Sequence, residues 1–146
     1  MTDTMNDMSL TVSRTIKAPV EKVFDAWLDP KMLARFMTPG EGMSVPSAKT
    51  DPVEGGRFEI IMKAGDDEMP HAGTYKTIKR NSQLVFSWES PYSTDGSIVT
   101  LDFAPVAGGT EVTLTHVKFV SEESRDNHKA GWAAILAVLG SELEAA

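Results

Sequence analysis

Between residues 57 and 119 the chain alternates apolar and polar residues in five runs, and nothing long enough to form a helix separates them. The runs are Arg57–Lys63, Ala72–Lys79, Gln83–Glu89, Ser97–Pro105 and Thr110–Phe119. Period-2 alternation marks half-buried strands. Short connections make neighbouring strands pair antiparallel. The connections contain Gly65-Asp66-Asp67, Asn81-Ser82, Asp95-Gly96 and Gly108-Gly109, where positive φ costs little. One face of this sheet collects Phe58, Ile60 and Met62, then Leu84, Phe86 and Trp88. It continues with Val99, Leu101 and Phe103, and ends on Val112, Leu114 and His116. So much apolar surface on one face has to be covered.

The cover is read from the two ends of the chain. Ser121–Ala146 reads as one long helix: Ser121 can cap it, Glu122 and Glu123 suit its positive end, and Trp132, Ile135, Leu136, Leu139 and Leu143 form one stripe. Near the start, Leu10, Val12 and Ile16 alternate as a strand. Pro19 opens a short helix with Val20, Val23, Phe24 and Trp27 on its apolar side. Asp29-Pro30 then caps and starts a second short helix over 30–37, with Met32, Leu33, Phe36 and Met37 inward. Thr38–Val53 is mostly loop, with Met43–Ala48 as a short edge strand. The expected fold is α+β: a curved antiparallel sheet of six or seven strands wrapped round a long C-terminal helix, with two short helices after the first strand. Residues 1–8 read as a flexible tail and residues 9–146 as one domain. One helix does not fill a wide concave sheet, so a cavity is expected between them.

Composition removes several classes of function. There is no cysteine among the 146 residues, hence no disulfide, thiolate metal site or thiol nucleophile. The net charge is −7, of which −2 lies in residues 1–8 and −3 in residues 121–146. A nearly neutral body with acidic ends has no phosphate-binding footprint, which argues against nucleic acid as a partner. No apolar run is long enough to span a bilayer. The polar, acidic N-terminus is unlike a signal peptide, so a cytoplasmic protein is expected.

Chemistry-bearing residues are few. His116 has inward parity, His128 lies one turn before Trp132, and His71 opens the strand 71–79. His116 and His128 are either polar handles at the cavity wall or groups that satisfy backbone at the seam between sheet and helix. Their spacing presents no pair of metal ligands, and no cofactor is expected. Glu59, Glu89, Asp102, Arg14 and Arg57 are read as outward. Asp66-Asp67-Glu68 is read as a solvated loop tip. No serine sits in a nucleophile elbow and no phosphate-binding glycine motif exists, so no catalytic residue is assigned. The informative set is apolar. Trp27, Phe36, Met37, Met43, Met62, Trp88 and Trp132 come from separate elements that should border the cavity. Phe58, Ile60, Phe86, Leu101, Phe103, Leu114, Ile135 and Leu136 complete the expected lining.

Several strings in this order resemble the helix-grip (START-like, SRPBCC) superfamily, and within it the group related to the activator of heat-shock protein 90 ATPase. They are KAPVEKVFDAWLDPKMLARF (17–36), DPVEGGRFEI (51–60), GTYKTI (73–78), QLVFSW (83–88), SIVTLDFAP (97–105), GGTEVTLTHVKF (108–119) and HKAGWAAILAVL (128–139). After Phe36 this chain reads Met37-Thr38-Pro39-Gly40, where many relatives carry a second aromatic and a Gly-Pro. The resemblance implies the helix-grip fold and three classes of function. The first is a module binding a small apolar or aromatic molecule between the sheet and the C-terminal helix. The second is a protein-interaction module regulating a chaperone ATPase. The third is a cavity enzyme of cyclase, dehydratase or hydrolase type using His116 or His128. The binder is preferred because the expected wall is apolar. A monomer or a homodimer is expected.

Overall fold

The computed structural model describes residues 9–38, 42–90, 97–117 and 121–144. The expected tail 1–8, the Pro39-Gly40 and Asp95-Gly96 turns, the strand end Lys118–Phe119 and the last two residues lie outside them. In chain order the elements are β1 (Ser9–Ile16), α1 (Val20–Ala26), α2 (Pro30–Phe36), β2 (Met43–Thr50), β3 (Arg57–Ala64), β4 (Asp67–Lys79), β5 (Gln83–Ser87), β6 (Ile98–Val106), β7 (Gly109–Val117) and α3 (Glu122–Glu144). All seven strands form one antiparallel sheet in the order β1-β7-β6-β5-β4-β3-β2. The first strand pairs with the last, Leu10 opposite His116 and Ile16 opposite Thr110. The two short helices carry the chain from that edge to β2 at the opposite edge. This is the curled sheet and long C-terminal helix of the helix-grip fold.

Local chemistry explains the ends of the elements. Asp29 Oδ1 accepts from the Lys31 N–H at 2.9 Å, with Pro30 in the first turn of α2. Ser121 Oγ accepts from the Ser124 N–H at 3.1 Å and caps α3. Trp132, Ile135, Leu136 and Leu139 of α3 are buried and Leu143 is half-buried. The inward strand set, Phe58 through His116, is buried throughout.

Two expectations are corrected. The Asp66-Asp67-Glu68 loop tip is a tight turn at Gly65-Asp66, with φ of 61° at Gly65; Asp67 and Glu68 already pair with Ala64 and Lys63. β4 therefore starts five residues earlier than Ala72, and His71 sits inside it rather than opening it. Pro70, two residues before Ala72, turns its nitrogen to the flank away from β3, where among the described residues Ala72 bridges Glu89 and the β5 ladder begins at Tyr75, so no β3 ladder bond is lost. Arg14, read as outward, shares the parity of Leu10 and Ile16 and lies beside α3. A Cβ added to Gly140 would stand 3.3 Å from its Nε.

Polar ties fix the short helices to the sheet. Arg80 makes two bonds of 2.7 and 3.0 Å to the Asp25 carboxylate of α1. Thr50 Oγ1 donates to the Leu28 carbonyl at 2.9 Å. On β4, Gly73 faces Phe58 so closely that a Cβ there would lie 2.0 Å from the Ser87 carbonyl oxygen and 2.6 Å from the Phe58 ring. Only glycine allows this approach, which presses the Phe58 ring against the sheet.

Candidate functional site

The inward parity of β3, β4 and β5 brings Phe58, Ile60, Tyr75 and Phe86 onto one patch, with Trp88 just beyond β5. The end of α1 and the inner face of α2 lower Trp27, Leu33 and Met37 onto it. These eight residues line an apolar pocket with about 10 Å³ of free space, room for one water. The rings form one connected cluster: Phe58 packs edge-on to Phe86 at 5.2 Å and tilted against Tyr75 at 5.3 Å. Burial and the nearby Asp51 push the Tyr75 phenol pKa up.

Six of the expected lining residues meet here: Trp27, Met37, Phe58, Ile60, Phe86 and Trp88. Phe36 backs Trp27 at 5.0 Å, and Phe103 packs on Phe24 at 5.1 Å. Met62, Leu101, Leu114, Ile135 and Leu136 belong to the buried core outside this pocket, and Met43 is half-buried against it. No residue of α3 lines this pocket; the sequence leads one to expect a cavity between the sheet and α3. Leu33 and Tyr75 were missed. Leu33 was already in the α2 stripe, and the two-residue spacing of His71, Gly73 and Tyr75 was the available signal.

Beside the pocket lies a buried polar chain. Trp88 stacks on His71 at 4.9 Å on one side and meets Trp132 at 4.9 Å on another. Trp132 Nε1–H donates to His116 Nδ1 at 3.0 Å. An indole can only donate, so Nδ1 is bare and the His116 proton sits on Nε2, which donates to Ser97 Oγ. Burial, reinforced by nearby His128, pushes the His116 pKa down to about 3. His71 Nδ1–H donates to the Met69 carbonyl at 3.0 Å. Burial pushes its pKa down to about 4, the Met69 bond opposes the shift, and His128 adds to it. His128 Nδ1–H donates to the Ser124 carbonyl one turn back, at 2.8 Å. His116 and His128 rings are 5.4 Å apart and edge-on. So His71 and His128 satisfy backbone, while His116 joins two side chains. Among the described residues no group of three potential ligands could hold a metal ion.

Arg57 and Glu89 have outward parity. Arg57 grips Glu89 through two bonds of 3.0 and 3.2 Å and also reaches Thr74. The guanidinium holds the Glu89 carboxyl below its ordinary value. Both side chains are about half exposed, so this is a modest surface tie. Among the described residues, no helix is long and apolar enough to cross a membrane.

Comparison with known proteins places this arrangement. The family model described as Activator of Hsp90 ATPase homolog 1-like protein matches residues 17–144. An AHSA1-like protein from Aeromonas hydrophila, solved in solution, is 28% identical with a TM-score of 0.82, covering 94% of this chain and 93% of that one. A protein from Chromobacterium violaceum has the same fold at 23% identity and a TM-score of 0.80, over 93% of this chain and 96% of that one. One from Nitrosomonas europaea has it at 17% identity and a TM-score of 0.80, over 98% and 97%. Comparison with curated proteins gave no match.

Proposed function

The chain belongs to the family of Activator of Hsp90 ATPase homolog 1-like proteins, whose membership suggests a ligand-binding or co-chaperone-like module; from that premise we propose that it binds a small apolar or aromatic molecule. The site is the pocket between α1–α2 and the inner face of β3–β5. One observation carries this reading: eight side chains from five separate stretches of chain converge on one pocket, and none of them is a carboxylate, an amine or a guanidinium. Leu33 and Met37, both from the seven-residue helix α2 and its cap, form the wall whose movement would enlarge it.

The hydrogen bonds of His116 weigh against the enzyme reading. A hydrolytic base would accept a proton from Ser97 on Nε2, but Trp132 donates to Nδ1 and keeps the proton on Nε2. The co-chaperone reading needs an exposed apolar surface. Among the described residues, the large apolar side chains left exposed are Val53 and Val106.

The test is to incubate purified protein with cell extract, wash it, and identify retained small molecules by mass spectrometry. Apolar cargo is expected, with a rise in Tm when the purified compound is added back. Ile60→Phe, which fills the pocket, should abolish both effects. Retention unchanged in Ile60→Phe, or no stabilisation across an aromatic and lipid panel, would overturn the proposal. Stimulation of a chaperone ATPase by the empty protein would favour the second reading.

A further inference from the structure

The three tryptophans differ in one respect. Trp132 Nε1–H has an acceptor, His116 Nδ1. Trp27 and Trp88 are 2% and 3% exposed, and among the described residues neither indole N–H has any hydrogen-bond partner. Both of these rings line the same pocket. A buried donor without an acceptor is destabilising, and natural cores leave few of them. Two in the wall of one small apolar pocket form a pattern with a consequence for what enters it.

We propose that the ligand of this pocket is a neutral apolar molecule, aromatic or alicyclic, whose carbonyl or ether oxygen accepts a hydrogen bond from Trp27 or Trp88. The inference rests on the pocket reading above and adds the ligand's polar chemistry. An anion is disfavoured, because no cationic side chain lines the pocket and a buried unpaired charge is costly. A pure hydrocarbon would leave both N–H groups without an acceptor. An oxygen acceptor within an apolar frame satisfies one or both while burying the rest. One water could occupy the 10 Å³ present, and this is the competing occupant.

The experiment uses two probes of one shape, acetophenone and α-methylstyrene, which differ only in C=O against C=CH2. Each is titrated into the full chain and into Met37→Ala, followed by the indole N–H resonances in ¹⁵N-correlated NMR. Both should bind, acetophenone about tenfold more tightly, the value of one added hydrogen bond. The ketone should move the Trp27 or Trp88 indole resonance and leave that of Trp132 in place. Trp27→Phe and Trp88→Phe each remove one indole N–H and leave an aromatic ring, and at least one should bring the ratio of the two affinities to about one. Equal affinities in the parent protein, or a ketone preference that survives both variants, would overturn the inference and leave the pocket reading standing. So would water already bound to both N–H groups and retained with ketone present. If neither probe binds either protein, the pocket reading itself fails and takes this inference with it.

Discussion

His71 and His116 are neutral in the folded protein because burial holds their pKa values at about 4 and about 3. Unfolded, both return to about 6.5, so below that pH the unfolded chain takes up protons that the folded chain refuses. The stability tied to their neutral form is complete above about pH 6.5 and is lost as pH falls toward 4. Each contributes a slope approaching about 1.4 kcal/mol per pH unit in that window. Urea midpoints measured from pH 7 down to pH 4.5 should therefore fall steadily. His71→Gln should flatten the decline by about half; a midpoint independent of pH, or an unchanged slope in that variant, would contradict the assignment. The inward parity of His116 was legible from Val112 and Leu114 two apart. Its partners were not, because Ser97 and Trp132 reach it from elements whose relative placement no local spacing encodes.

At the scale of elements, β3 and β4 show how a glycine shapes the site. Alternation gave β3 its inward face directly. β4 was harder: Asp66-Asp67-Glu68 reads as a loop tip, yet Asp67 and Glu68 already pair with Ala64 and Lys63. Gly73→Ala would drive a methyl into the Ser87 carbonyl and the Phe58 ring. A loss of roughly 3 kcal/mol is expected. It would be read from the urea midpoint, with Phe58 displaced from the pocket wall. A neutral substitution would mean that the Phe58 ring is not pinned as described. Helix α2 was equally legible, from the Asp29-Pro30 cap and its apolar stripe, yet its target across the sheet was not.

For the whole molecule, the order of strands and helices was carried by patterns that any stretch of chain displays by itself: period 2, period 3.6, turn glycines and caps. The location of the pocket depends on something else, the path of α1–α2 over the inner face of β3–β5. That path places Trp27 and Met37 on Phe58, Ile60 and Phe86, far along the chain. Sequence reasoning instead put the cavity under the longest helix. α3 covers the core, where Trp132, Leu136 and Leu139 leave no exposed surface to speak of. The central claim is therefore one of location as well as chemistry. It is tested most directly by isotope-filtered NOE spectroscopy of the ¹³C-labelled protein with α-methylstyrene. Contacts from the probe to the methyl groups of Leu33, Met37 and Ile60 are expected. Contacts confined to Ile135, Leu136 and Leu139, or to surface methyls such as Val53, would contradict it.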